Sequence, residues 1–75
     1  MEELLKILNE IKPGVDFLNE TDLIENRILD SIEIMELAEE IMDVFEIDLT
    51  PMDIVPENFK SAETIYQMIE RLREE

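Results

Sequence analysis

Apolar residues recur at helical spacing in three stretches of the chain, and no stretch shows the alternation typical of a β-strand. The first stretch runs from Glu2 to Ile11. Its apolar residues follow the i, i+3, i+4, i+7 spacing of an amphipathic helix: Leu4, Leu5, Ile7, Leu8 and Ile11. Lys12-Pro13-Gly14 should end this helix, because proline cannot continue it and glycine is common just beyond a C-terminus.

A second helix is predicted from Ser31 to about Phe45 or Glu46. Asp30 precedes it and Glu33 follows three residues later, a pair typical of a capping box, so Ser31 should be the first helical residue. One face of this helix should be core: Ile34, Leu37, Ala38, Ile41, Val44 and Phe45, with Met35 and Met42 at its margin. The opposite face is acidic and carries one apolar residue, Ile32; its acids are Glu33, Glu36, Glu39, Glu40, Asp43 and Glu46.

Two further helices are predicted in the C-terminal third. Thr50 as N-cap, Pro51 at the first position and Pro56 as terminator indicate a short third helix. Ser61 can cap the last helix, whose apolar stripe is Ala62, Ile65, Ile69 and Leu72. Val15 to Leu29 should form a long ordered loop with one helical turn near Thr21 to Glu25. The expected fold of residues 1–75 is therefore one all-α domain, a small four-helix bundle with a short third helix.

Charge and composition narrow the possible functions. The 75 residues include 21 acids and 6 bases, a net charge of −15, which opposes binding to nucleic acid or to an anionic membrane. High charge can mean disorder, but 45% of the residues are hydrophobic and lie in helical register, which favours a folded domain. No apolar run approaches the roughly 18 residues of a membrane span. We expect a monomer in the cytoplasm that does not insert into membranes.

The chain has little chemistry of its own. It contains no His and no Cys, so both the usual neutral-pH base and the protein thiol are absent. The acids from Asp43 to Asp48 lack the glycine turn of an EF-hand, and no metal site is predicted. We therefore expect no enzymatic activity, and any reactive group must be added to the protein.

The acidic face of the second predicted helix has no base near it in the sequence. No Lys or Arg lies between Arg27 and Lys60, so the Glu-to-Lys pairs that usually steady an exposed helix are missing. Like charges three or four residues apart cost a few tenths of a kcal/mol each. Because such a cluster lowers the stability of the helix, its presence favours a role in attracting a basic protein partner over a role as an ordinary solvated surface.

A longer motif carries a family resemblance. The motif begins with Ile28-Leu29-Asp30-Ser31-Ile32, continues with a helix that ends in Phe45, and closes with Ile47-Asp48-Leu49-Thr50-Pro51. This order of features resembles that of acyl and peptidyl carrier proteins over nearly the whole chain. Ile32 stands where Leu is commoner in that family. Asn26-Arg27 stands where many relatives have Gly before the motif, and Asn26 is the residue expected to take a left-handed conformation there.

The resemblance implies a function and a set of site residues. Ser31 would carry a 4′-phosphopantetheine arm, and Asp30 would help the phosphopantetheinyl transferase and its metal ion. Ile32, Met35, Glu36 and Glu39 would recognise partner enzymes that load and transfer acyl or aminoacyl groups in fatty acid or secondary metabolite biosynthesis. The cargo stays open at this point. The alternative is an unmodified acidic helical adaptor that docks on a basic protein.

Overall fold

The computed structural model describes residues 1–74 and is all-helical there, with three helices and no strand. The helices are α1 (Glu2–Ile11), α2 (Ser31–Phe45) and α3 (Ala62–Glu74). The predicted bounds of the first two helices and the start of the last are confirmed. The predicted four-helix bundle is not confirmed, because the described residues contain no fourth helix.

Residues 50–59 form consecutive turns instead of the predicted short helix. The start signal is present: the Asp53 carboxylate accepts hydrogen bonds from the Thr50 amide and hydroxyl, both at 3.0 Å. The backbone then completes one turn, with Ile54 N donating to Thr50 O at 3.3 Å. Pro56 has no amide hydrogen and disfavours helical geometry at Val55, so the turn cannot extend.

The three helices enclose one hydrophobic core in which α1 packs against both α2 and α3. The loop between α1 and α2 also contributes to this core. The core residues that are at most 4% exposed include Leu4, Ile7, Leu8, Phe17, Leu23, Leu29, Leu37, Ile41, Phe59, Ile65, Met68 and Ile69. Each such side chain contributes about 1.5–3 kcal/mol through burial.

The long loop is ordered by its buried anchors and by a short turn. Asn26 N donates to Asp22 O at 3.2 Å, which gives the single helical turn that the sequence predicts. Leu23 N donates to Lys60 O at 2.6 Å and ties this turn to the chain two residues before α3. The left-handed residue that follows the turn is Arg27, with φ 57°, and not Asn26.

α2 buries a narrower stripe than the sequence predicts. Leu37, Ala38 and Ile41 are buried, whereas Val44 is 44% exposed, so its assignment to the core is wrong. At about 100° per residue, Val44 lies about 20° from the fully buried Leu37, so its angular position does not account for its exposure. Val44 lies nearer the C-terminal end of α2, where the core covers the helix less fully: no residue of α2 after Ile41 is buried.

Candidate functional site

Ser31 is the first residue of α2, as predicted, and the residue that caps the helix is Asp30. Glu33 N donates to Asp30 Oδ1 at 2.8 Å, and Asp30 N donates to Glu33 Oε1 at 3.2 Å, which completes the predicted capping box. Because the Asp30 carboxylate satisfies a free amide of the first turn, the Ser31 hydroxyl is not needed for this purpose.

Most other hydroxyls near helix or turn starts are used in local hydrogen bonds. Ser61 Oγ accepts from Thr64 N at 3.2 Å at the start of α3, and Thr64 Oγ1 donates to Asn58 O at 3.1 Å. Thr50 Oγ1 donates to Asp53. Ser31 is exposed at a helix N-terminus. A phosphate ester at this hydroxyl would lie at the positive end of the helix dipole.

An apolar pocket of about 360 Å³ opens beside Ser31. Its lining residues from α2 are Ser31, Ile34 and Met35, and those from the long loop are Ile24 and Leu29. The remaining lining residues come from the turns before α3: Ile54, Val55, Pro56 and Phe59. Eight of the nine lining residues are therefore apolar, and Ser31 is the polar one.

The sequence did not identify this pocket. Its lining residues come from three segments that are far apart in the chain, and their contact depends on tertiary structure. The one available signal was Ile54-Val55 between two prolines, an apolar pair in a segment otherwise rich in turn formers.

The predicted recognition residues of α2 are exposed on the outside of the molecule. Ile32 is 68% exposed and Met35 is 54% exposed, so two large apolar side chains face solvent within four residues of the serine. Glu36 and Glu39 are exposed beside them. Asp30 is exposed as well, although its carboxylate also serves the cap. All five predicted recognition residues are thus exposed. Ile32, Met35, Glu36 and Glu39 lie on one side of α2, and Asp30 lies at its N-terminus.

Glu33 differs from the other acids assigned to the acidic face. Its Oε2 lies 3.3 Å from Lys12 Nζ, and its side chain is only 18% exposed. Lys12 is the C-cap of α1, so this ion pair joins the end of α1 to the start of α2. The prediction that Glu33 is an unpaired surface acid is wrong. Lys12 is distant in sequence, and spacing along α2 could not reveal it.

The acidic surface extends onto α1. Glu10 and Ile11 share a shallow depression with Glu36, Glu39 and Glu40. Within residues 1–74, no group of three or more acidic side chains is arranged to hold a metal ion. The same residues contain no helix with the length and apolar character needed to cross a bilayer. The carboxylates on this surface present a diffuse negative field to a partner.

No protein-family model, no curated protein and no solved structure matches the chain. The comparisons therefore provide no family for the fold or for the site.

Proposed function

We propose that the protein is a carrier that holds acyl or aminoacyl groups as thioesters on a 4′-phosphopantetheine arm attached to Ser31. The observation that carries this proposal is the position of Ser31: the residue is exposed, it lines an apolar pocket, and its hydroxyl is not needed for the helix cap because Asp30 supplies it. The resemblance of Ile28 to Ile32 to the carrier-protein motif supports the same residue.

The attachment reaction accounts for the absence of reactive groups in the chain. The Ser31 oxygen attacks the phosphorus that bears the pantetheine group of coenzyme A. The P–O bond to the nucleotide phosphate breaks, the bisphosphorylated adenosine leaves, and the serine proton passes to the transferase. The product carries one thiol on a flexible arm, which replaces the cysteine that the protein lacks.

Asp30 has two roles in this proposal. Its Oδ1 caps α2, and its exposed carboxylate faces the same end of the helix as Ser31. In the bound transferase, Asp30 would contribute an oxygen to the metal ion that balances the pyrophosphate charge, since carboxylate and phosphate oxygens are the usual magnesium ligands.

The docking surface of the proposed carrier consists of Ile32, Met35, Glu36 and Glu39. The two apolar side chains provide buried contact area in a complex, and the two acids attract a basic partner surface. The net charge of −15 extends this attraction over the whole molecule. The partners are thus a phosphopantetheinyl transferase and the enzymes that load and remove the cargo.

The test is to incubate the protein with coenzyme A, Mg²⁺ and a phosphopantetheinyl transferase of broad specificity, and then to measure intact mass. The proposal requires a mass increase of one arm per chain in the wild type and none in Ser31→Ala. An unmodified wild type would leave the acidic adaptor, which uses the same exposed residues of α2 without an arm. Circular dichroism of Ser31→Ala controls for folding.

A further inference from the structure

One wall of the apolar pocket belongs to no helix. Ile54, Val55, Pro56 and Phe59 line the pocket from residues 54–59, hereafter the wall segment. Within this segment the backbone hydrogen bonds are local, such as Asn58 N to Val55 O at 3.1 Å and Phe59 N to Pro56 O at 3.2 Å. Turns with few hydrogen bonds open more readily than helices. The distance of this wall from Ser31 therefore depends on what holds the segment against the rest of the molecule.

Phe59 anchors the end of the wall segment in the hydrophobic core, and Asn58 makes the side-chain hydrogen bonds of the rest of the segment. Its Nδ2 donates to Asp53 O at 2.8 Å, and its Oδ1 accepts from Arg71 Nη2 at 3.5 Å. Its backbone oxygen lies 3.1 Å from Thr64 Oγ1, whose single proton is shared with Ser61 O at 2.9 Å. Arg71 and Thr64 both belong to α3, so Asn58 joins the wall segment to a helix that does not itself line the pocket.

The geometry points to Asn58 as a positioning residue: its side chain fixes the wall segment and so sets the width of the pocket and the length of the apolar chain that the pocket accepts. Asn58 lies on the polar side of the segment, in a surface depression with Thr64, Gln67 and Arg71, so it acts on the pocket without entering it. The inference rests on the proposed function only for the occupant, an acyl chain tethered at Ser31.

A purely stabilising role for Asn58 would give a different result. Loss of the side chain would then lower the melting temperature, but the folded protein would keep the same pocket and the same preference for chain length. Chain-length preference is therefore the informative measurement. Uncharged ligands are required, because a net charge of −15 repels anionic ones.

The experiment uses the unmodified protein at a temperature at which every variant is folded by circular dichroism. The fluorescence of the neutral dye N-phenyl-1-naphthylamine reports pocket binding, and 1-alkanols from hexanol to dodecanol compete with it. In the wild type, competition should strengthen with each methylene until the chain fills the pocket and then level off. Gln67→Ala is the matched control, since Gln67 is exposed and lines the same polar depression as Asn58.

Asn58→Ala should weaken octanol binding about threefold to tenfold, the effect of losing a hydrogen bond or two, and should move the plateau to a longer alcohol. Wild-type affinities and an unchanged plateau in folded Asn58→Ala would overturn the inference. So would failure of the wild type to bind the dye. If Asn58→Ala does not fold, Arg71→Met removes the α3 side of the same contact and should also move the plateau to a longer alcohol. If Arg71→Met instead gives the same octanol affinity and the same plateau as Gln67→Ala, the inference is overturned. Because Ser31 is unmodified throughout, absence of an arm in the mass experiment would contradict the proposed function and leave this result intact.

Discussion

Asp30 and Glu33 each accept a hydrogen bond from the other's backbone amide, and Glu33 also pairs with Lys12 at 3.3 Å. Three polar side chains thus fix the start of α2 and its position relative to the end of α1. Ser31 lies inside this arrangement but takes no part in it. The arrangement holds the serine backbone in place and leaves its hydroxyl available.

Removal of the cap should lower stability. Asp30→Ala should reduce the free energy of unfolding by about 0.5–2 kcal/mol, because an amide of the first turn loses its acceptor. Asp30→Asn is the matched control, since asparagine caps as well as aspartate. Urea denaturation measures both. Equal losses in the two variants would show that the charge of Asp30, and not its cap, stabilises α2.

Glu46 is the clearest site for a stabilising substitution. It ends α2 in the left-handed conformation, with φ 54° and ψ 48°, where glycine is usual. Glu46→Gly should raise the free energy of unfolding by about 1 kcal/mol, because a side chain in this conformation costs roughly 1–2 kcal/mol. Glu46→Ala removes the same negative charge from the C-terminal end of the helix dipole but keeps the side-chain cost. A gain in Glu46→Ala equal to that in Glu46→Gly would assign the effect to charge alone.

The acidic surface of α2 should control the rate of partner encounter. Glu36→Lys combined with Glu39→Lys should slow modification by the transferase several-fold at low salt and flatten its salt dependence, because exposed charges steer association. Glu70→Lys combined with Glu74→Lys makes the same change in net charge on α3. If the two double variants react equally fast, the location of the acids does not matter and the net charge alone explains the rate.

Added salt should stabilise the fold. The melting temperature should rise between about 10 mM and 500 mM NaCl, because the Debye length falls from about 30 Å to a few Å and repulsion among the acids weakens. Millimolar Mg²⁺ should act in the same direction. The variant with Lys at positions 36 and 39 should show a smaller rise than the wild type. If neither NaCl nor Mg²⁺ changes the melting temperature, the acids do not repel one another appreciably.

Local signals predicted the helices and the cap, whereas tertiary contacts decided what the sequence missed. The Asp30 and Glu33 pair depends on residues three positions apart, so the sequence contains all of it. The helical spacing of α2 predicts Glu33 on the exposed acidic face and contains no sign of its partner, Lys12, which lies in another element. The segment from Thr50 has a correct helix start, but the distance to Pro56 allows only one turn.

The pocket illustrates the same difference. Helical spacing predicts Ile34 on the core face of α2 and Met35 at its margin, and both line the pocket beside Ser31. The opposite wall comes from Ile54 to Phe59, and no local pattern relates those residues to Ser31. The sequence could therefore indicate the serine but not the apolar space beside it.

The most direct measurement of the central claim locates the arm on the chain. Trypsin cleaves after Lys and Arg, and none lies between Arg27 and Lys60, so digestion releases residues 28–60 as one peptide that contains two hydroxyl side chains, Ser31 and Thr50. After reaction with coenzyme A and the transferase, fragmentation of this peptide should place the entire mass increase on Ser31. An increase on Thr50, on any other peptide or on none would contradict the assignment of Ser31 as the attachment site.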